Sequence, residues 1–137
     1  MSKYEEMTTV LSDEGHLTEA LKDLGYTPEV HAEGSALFGY RGDERPERAH
    51  IVIRRQQLDS ASNDIGFRRA VNGVYRAIIS EYDRGIGFDD AWLGRIAQTY
   101  KERQTLAVAK AKGYVFQGRK IIDTSQGKKV QLRFAVR

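Results

Sequence analysis

The last nine residues alternate without a fault. Val130, Leu132, Phe134 and Val136 take one parity, and Lys129, Gln131, Arg133, Ala135 and Arg137 take the other. Successive side chains of a strand point to opposite faces of its sheet, so this segment calls for one apolar and one wet face. A sheet of that kind is usually antiparallel, with helices packed on the apolar side.

The rest of the chain fits this plan. A short first strand is expected over Thr8 to Leu11. Ser12 and Asp13 are N-cap residues, Leu17, Ala20, Leu21 and Leu24 recur at helical spacing, and Gly25 is the stop. Strands are expected at Val30–Ala32 and Ala36–Arg41, split by Glu33-Gly34-Ser35, followed by a polar loop from Gly42 to Glu47. Ala49–Arg54 reads as a strand and Gln56–Asn63 as a loop. Asp64–Arg69 and Val74–Ser80 form a hairpin around Asn72-Gly73, a pair that supplies the positive φ of a tight turn. From Asp89 to Lys112, Trp92, Ile96, Tyr100, Ala107 and Ala111 fall near one helical stripe, with Asp89 and Asp90 at its positive end and Lys110 and Lys112 at its negative end. Gly113 ends that helix. A strand starts at Tyr114–Phe116, and Lys120–Ile122 continues it or follows a bulge near Gly118; Gln126-Gly127 turns the chain. The expected fold is a single α+β domain over residues 1–137. Its antiparallel sheet carries a short N-terminal helix and a long helix from the C-terminal half on one face.

Composition narrows the chemistry. A chain of 137 residues with 40 % hydrophobic and 30 % charged residues is one ordinary folded domain. With no Cys there is no thiolate metal site, disulfide or cysteine nucleophile. No apolar run is long enough to span a bilayer, and the start shows no basic region followed by an apolar stretch, so a cytoplasmic location and no membrane partner are expected. The net charge of +3 hides a strong asymmetry. Residues 1–47 hold 4 Lys/Arg against 11 Asp/Glu, whereas residues 91–137 hold 11 against 2. Either the two ends neutralise each other, or the basic end meets an anionic partner.

Several short signatures stand in a telling order. They are Leu21-Lys22-Asp23-Leu24-Gly25, Gly39-Tyr40-Arg41-Gly42, Ala49-His50-Ile51-Val52-Ile53, Asp64-Ile65-Gly66-Phe67-Arg68, Gly73-Val74-Tyr75, and Trp92-Leu93 followed by Gln98-Thr99-Tyr100. In this order and spacing the chain resembles the family of hypothetical chloroplast open reading frame 35, small cyanobacterial, plastid and bacterial proteins that carry a domain of unknown function. The resemblance brings no activity with it. It implies an accessory role, with an AAA-type ATPase assembly as a possible partner, because the family's genes often lie beside those for such an ATPase and a ferredoxin-like protein.

No catalytic, metal or cofactor constellation stands out. His16, His31 and His50 lack metal-ligand spacing, the acidic run Asp43, Glu44 and Glu47 is interrupted by Arg45, and Gly85-Ile86-Gly87 lacks a phosphate-loop pattern and is followed by Asp89 and Asp90. One constellation suits binding. Tyr40-Arg41, Phe67-Arg68 and Tyr75-Arg76 pair an aromatic with an arginine, and neighbours on a strand point to opposite faces. With the aromatics in the core, Arg41, Arg68 and Arg76 would line the other face, joined by Arg54, Lys129, Arg133 and Arg137. Such a cationic face suits an anionic partner. The leading expectation is a non-catalytic module that docks an acidic protein partner or a second copy of the chain through its basic C-terminal third. The alternative is RNA or single-stranded DNA binding by the arginine-bearing sheet face.

Overall fold

In the computed structural model, which describes residues 2–124 and 126–136, the chain forms two compact units, Met1–Tyr100 and Lys101–Arg137. The class is α+β with antiparallel pairing throughout, as the alternation predicts.

The N-terminal unit is built on a five-stranded antiparallel sheet of order β1-β5-β4-β3-β2. The strands are β1 (Tyr4–Thr8), β2 (Glu29–Phe38), β3 (Glu44–Ile53), β4 (Ile65–Arg69) and β5 (Tyr75–Ser80). One face carries Ile51, Ile53, Ile65, Phe67, Tyr75, Ala77 and Ile79, all buried against helix α1 (Glu14–Asp23) and the first half of helix α3 (Asp90–Ala111). Burying a side chain of this size contributes roughly 1.5–3 kcal/mol, so this layer is the main source of stability. Asp13 caps α1 by accepting from the His16 amide at 2.8 Å, and Leu17, Ala20 and Leu21 supply its buried stripe. Trp92 donates to the Tyr26 hydroxyl at 3.1 Å, while the Tyr100 hydroxyl accepts from the amides of Ser12 and Asp13. These contacts fix the first half of α3 beside α1.

The opposite face holds a second, smaller core of Tyr4, Leu37, Ala49, Val52 and Ile78. The β2–β3 hairpin bends over it, so that Arg45 sits over the Tyr4 ring at 4.8 Å and donates to the Ser2 carbonyl. Gly66 makes this closure possible: a Cβ there would lie 2.5 Å from the Ala49 Cβ and 3.0 Å from the Leu37 Cδ2.

Several expectations need correction. The first strand is Tyr4–Thr8 rather than Thr8–Leu11, because the Thr9 hydroxyl turns the chain out of the ladder by binding the Tyr75 carbonyl and the Leu11 amide. The two strands expected around Glu33-Gly34-Ser35 are one, β2, with register shifts instead of a break. Glu44–Glu47 is strand rather than loop, and Pro46 falls in the irregular stretch between the Ala36↔Arg48 and Phe38↔Glu44 pairs, where its missing N–H breaks no regular ladder. Tyr40 and Arg41 lie in the turn that follows β2. A short helix α2 (Glu81–Gly85), capped by Ser80, follows β5 without a sequence signal long enough to announce it.

In the C-terminal unit, the remainder of α3 leads into the hairpin of β6 (Tyr114–Thr124) and β7 (Gly127–Val136). The expected stripe of α3 does not run its whole length: Trp92, Ile96 and Tyr100 are buried, but Ala107 and Ala111 are exposed and Ala109 is the buried residue of the last turns. Among the described residues, no helix is long and apolar enough to cross a membrane.

Candidate anionic-partner interface

Each unit carries a polar assembly. In the N-terminal unit, the centre is Asp64, at the start of β4 and 1 % exposed. Its carboxylate accepts from the Phe38 amide at 2.8 Å, the Arg55 amide at 2.8 Å and Arg54 Nη1 at 2.9 Å. Its carbonyl accepts from the Tyr4 hydroxyl at 2.6 Å. Burial, with the Asp64 charge as a smaller contributor, holds the Tyr4 phenol well above its usual range. Next to it, buried Asn63, Ser80 and Asp83 bond one another: Asp83 Oδ2 accepts from the Ser80 hydroxyl at 2.6 Å and from the Asn63 amide at 3.0 Å. These groups tie β2, β4, β5 and α2 together. The Ser80 hydroxyl is fully buried, so its bond to Asp83 is closed to solvent, and among the described residues no group of three His, Asp or Glu is placed to hold a metal.

Arg54 extends this network outward. It donates through Nε and Nη2 to the two oxygens of Glu29 at 3.0 and 2.9 Å, and Glu29 Oε1 also meets His31 Nε2 at 2.8 Å. The Arg54 hydrogen bonds hold the Glu29 carboxyl at about 2, well below its ordinary 4.5. A carboxyl with a depressed folded-state pKa contributes stability that is complete above the unfolded value and disappears as pH falls through the folded one. We therefore expect this contribution to vanish only between pH 4.5 and about 2. A Glu29 side-chain NMR titration with a midpoint near 2 is the expected result; an ordinary midpoint near 4.5 would contradict the ion pair.

The expected arginine face divides between two sheets. Arg54 is taken up by Glu29 and Asp64. Arg68 and Arg76 do share a face of the N-terminal sheet, opposite one another across β4 and β5, and Arg68 is paired with Glu6 at 2.7 Å. Arg41 lies in the exposed turn and folds back on Tyr40. Arg84 pairs with Glu5, so acidic residues of the N-terminal third are partnered by arginines of the middle segment. Lys129 and Arg133 lie on β7 of the other sheet, and Arg137 lies outside the described residues.

In the C-terminal unit, the β6–β7 register sets most of the apolar side chains on one side. Val115↔Ala135, Gly118↔Arg133, Lys120↔Gln131 and Ile122↔Lys129 share one side, and Tyr114↔Val136, Phe116↔Phe134, Arg119↔Leu132, Ile121↔Val130 and Asp123↔Lys128 share the other. The register shift between Phe116 and Gly118 produces this sorting, because one extra residue inverts the parity of β6. Lys120 was missed by sequence reasoning for that reason: counted straight from Phe116 it falls on the apolar side. Around the bulge, Gln117, Gly118, Arg119, Lys120 and Arg133 line a recess of about 640 Å³. Arg119 is bound to Glu102 at 2.9 Å, whereas Lys120, Lys129 and Arg133 have no carboxylate partner among the described residues. Residues 101–137 carry ten Lys/Arg against two Asp/Glu, a net of +8.

The comparison with protein families matches residues 20–131 to the model described as "Protein of unknown function (DUF1257)". Neither the comparison with curated proteins nor that with solved structures gives a match. The chain belongs to the DUF1257 family.

Proposed function

We propose that this member of the DUF1257 family is a cytoplasmic, non-catalytic accessory module of the hypothetical chloroplast open reading frame 35 type, which docks an acidic protein partner through its C-terminal unit. The observation that carries this reading is the basic side of the β6–β7 hairpin. Lys120, Lys129 and Arg133 stand there without carboxylate partners among the described residues, in a unit of net +8. Unneutralised charge of one sign raises the encounter rate with an oppositely charged surface and selects against like-charged ones. Within the resemblance drawn from the sequence, an AAA-type ATPase assembly is the partner to examine first.

Nucleic-acid binding is the weaker reading. Single-strand binders set aromatic platforms among the cations that follow the backbone. Here Phe116 and Phe134 face away from Lys120, Lys129 and Arg133, and of the cations on their own side, Arg119 and Lys128, the nearer one is engaged by Glu102.

The test is fluorescence anisotropy of a labelled glutamate-rich peptide titrated with the full chain at two salt concentrations. Binding is expected to weaken with salt, and the triple variant Lys120→Glu, Lys129→Glu, Arg133→Glu to bind at least about tenfold more weakly. Undiminished binding by the triple variant would sink the proposal. Stronger binding of a single-stranded oligonucleotide than of the peptide would turn the assignment to nucleic acid.

A further inference from the structure

The side of the hairpin turned away from Lys120, Lys129 and Arg133 is mainly apolar and open, with Arg119, Asp123 and Lys128 among its side chains. Phe116 is 47 % exposed, Ile121 57 %, Tyr114 41 % and Val136 79 %. A cluster of exposed apolar side chains of this kind marks an interaction site. Beside it, the last turns of α3 and the ends of both strands enclose a recess of about 360 Å³, lined by Thr105, Val108, Ala109, Lys112, Tyr114 and Phe134. That volume lies at the low end of the range of small-molecule pockets, roughly 300 to 1,000 Å³, and has room for one large side chain.

We propose that this recess seats one aromatic or branched apolar side chain of an acidic partner segment, whose carboxylates flank that anchor. The inference rests on the reading of the C-terminal unit as a docking module, and adds what kind of segment it takes. Charge decides the occupant. Lys112 lines the recess, the unit carries ten cations, and one of its two acids, Glu102, is already engaged by Arg119. A purely apolar segment would leave those cations unanswered, and two copies meeting face to face on this side would bring two units of net +8 together. An apolar anchor buried in a recess commonly carries most of an interface's energy, while surrounding charges set rate and selectivity.

The test is selection of short random peptides displayed against the immobilised full chain. Enrichment of Asp or Glu flanking a single Trp, Phe or Leu is expected. Val108→Glu, at an exposed helical position, is expected to weaken the selected peptide by about tenfold or more, the effect of losing one anchor. Thr105→Trp, which fills the recess from another exposed helical position, serves as the second variant and is expected to act likewise. Acidic peptides without an apolar anchor, insensitive to both variants, would overturn the recess while leaving charge docking intact. Selection of peptides with no acidic residues, or of none at all, would overturn both. A dimer in light scattering that Val108→Glu dissociates would assign the recess to a second copy and overturn the partner segment.

Discussion

Asp64→Asn is expected to destabilise the N-terminal unit by about 3 kcal/mol or more, the cost of breaking a buried ion pair and orphaning buried donors. The carboxylate is 1 % exposed and accepts from three donors: the amides of Phe38 and Arg55, and the Arg54 guanidinium. An amide of the same shape keeps one acceptor oxygen and turns an NH₂ group against donors. It also leaves the Arg54 charge with Glu29 alone, whose side chain is 42 % exposed. The contrast is Glu6→Gln, which breaks the exposed pair with Arg68 and should cost no more than about 1 kcal/mol. Urea unfolding of the two variants checks the pair of values. Equal small effects would mean that Asp64 does not hold β2, the end of β3 and β4 together.

Gly66→Ala is expected to cost roughly 1–3 kcal/mol through overpacking. The new methyl would meet the Ala49 Cβ at 2.5 Å, with both Leu37 methyls behind it at 3.0 and 3.2 Å. No φ constraint is involved, since Gly66 is absent from the positive-φ glycines. The cause is the bent β2–β3 hairpin lying close over the sheet. Ala49→Gly should therefore rescue part of the loss, although a glycine in a strand itself costs roughly 0.5–1 kcal/mol. Recovery in the double variant, measured as a positive coupling in urea unfolding, is the expected result. Additive losses would show that the hairpin does not press on Gly66.

Elements whose pattern is local could be read from the sequence. The alternation of residues 129–136, the cap and stripe of α1, the first half of α3 and the hairpin around Asn72-Gly73 all follow from neighbouring residues. What could not be read depends on distant partners. β2 runs through Gly34 because β3 pairs with Val30 before it and with Ser35 after it, and Pro46 is tolerated because the ladder is irregular there. In the sequence Asp64 only opens the hairpin strand; its bonds to Phe38, 26 positions away, and to Tyr4, 60 positions away, come from the fold. The interface shows the same limit. Lys129 and Arg133 share a side by simple parity, and so do Arg68 and Arg76, but nothing local says that the two pairs belong to different sheets. Arg54 looks available in the sequence and is consumed by Glu29, 25 positions earlier. Lys120 joins Lys129 and Arg133 only through the bulge.

The central claim is that the C-terminal unit is the docking surface, and the most direct measurement is an amide NMR titration of the full chain with the glutamate-rich peptide. Shifts confined to the last turns of α3, β6 and β7, and lost in the Lys120→Glu, Lys129→Glu, Arg133→Glu variant, are the predicted result. Shifts centred on Arg68 and Arg76 in the N-terminal sheet, or unchanged by the three charge reversals, would contradict it.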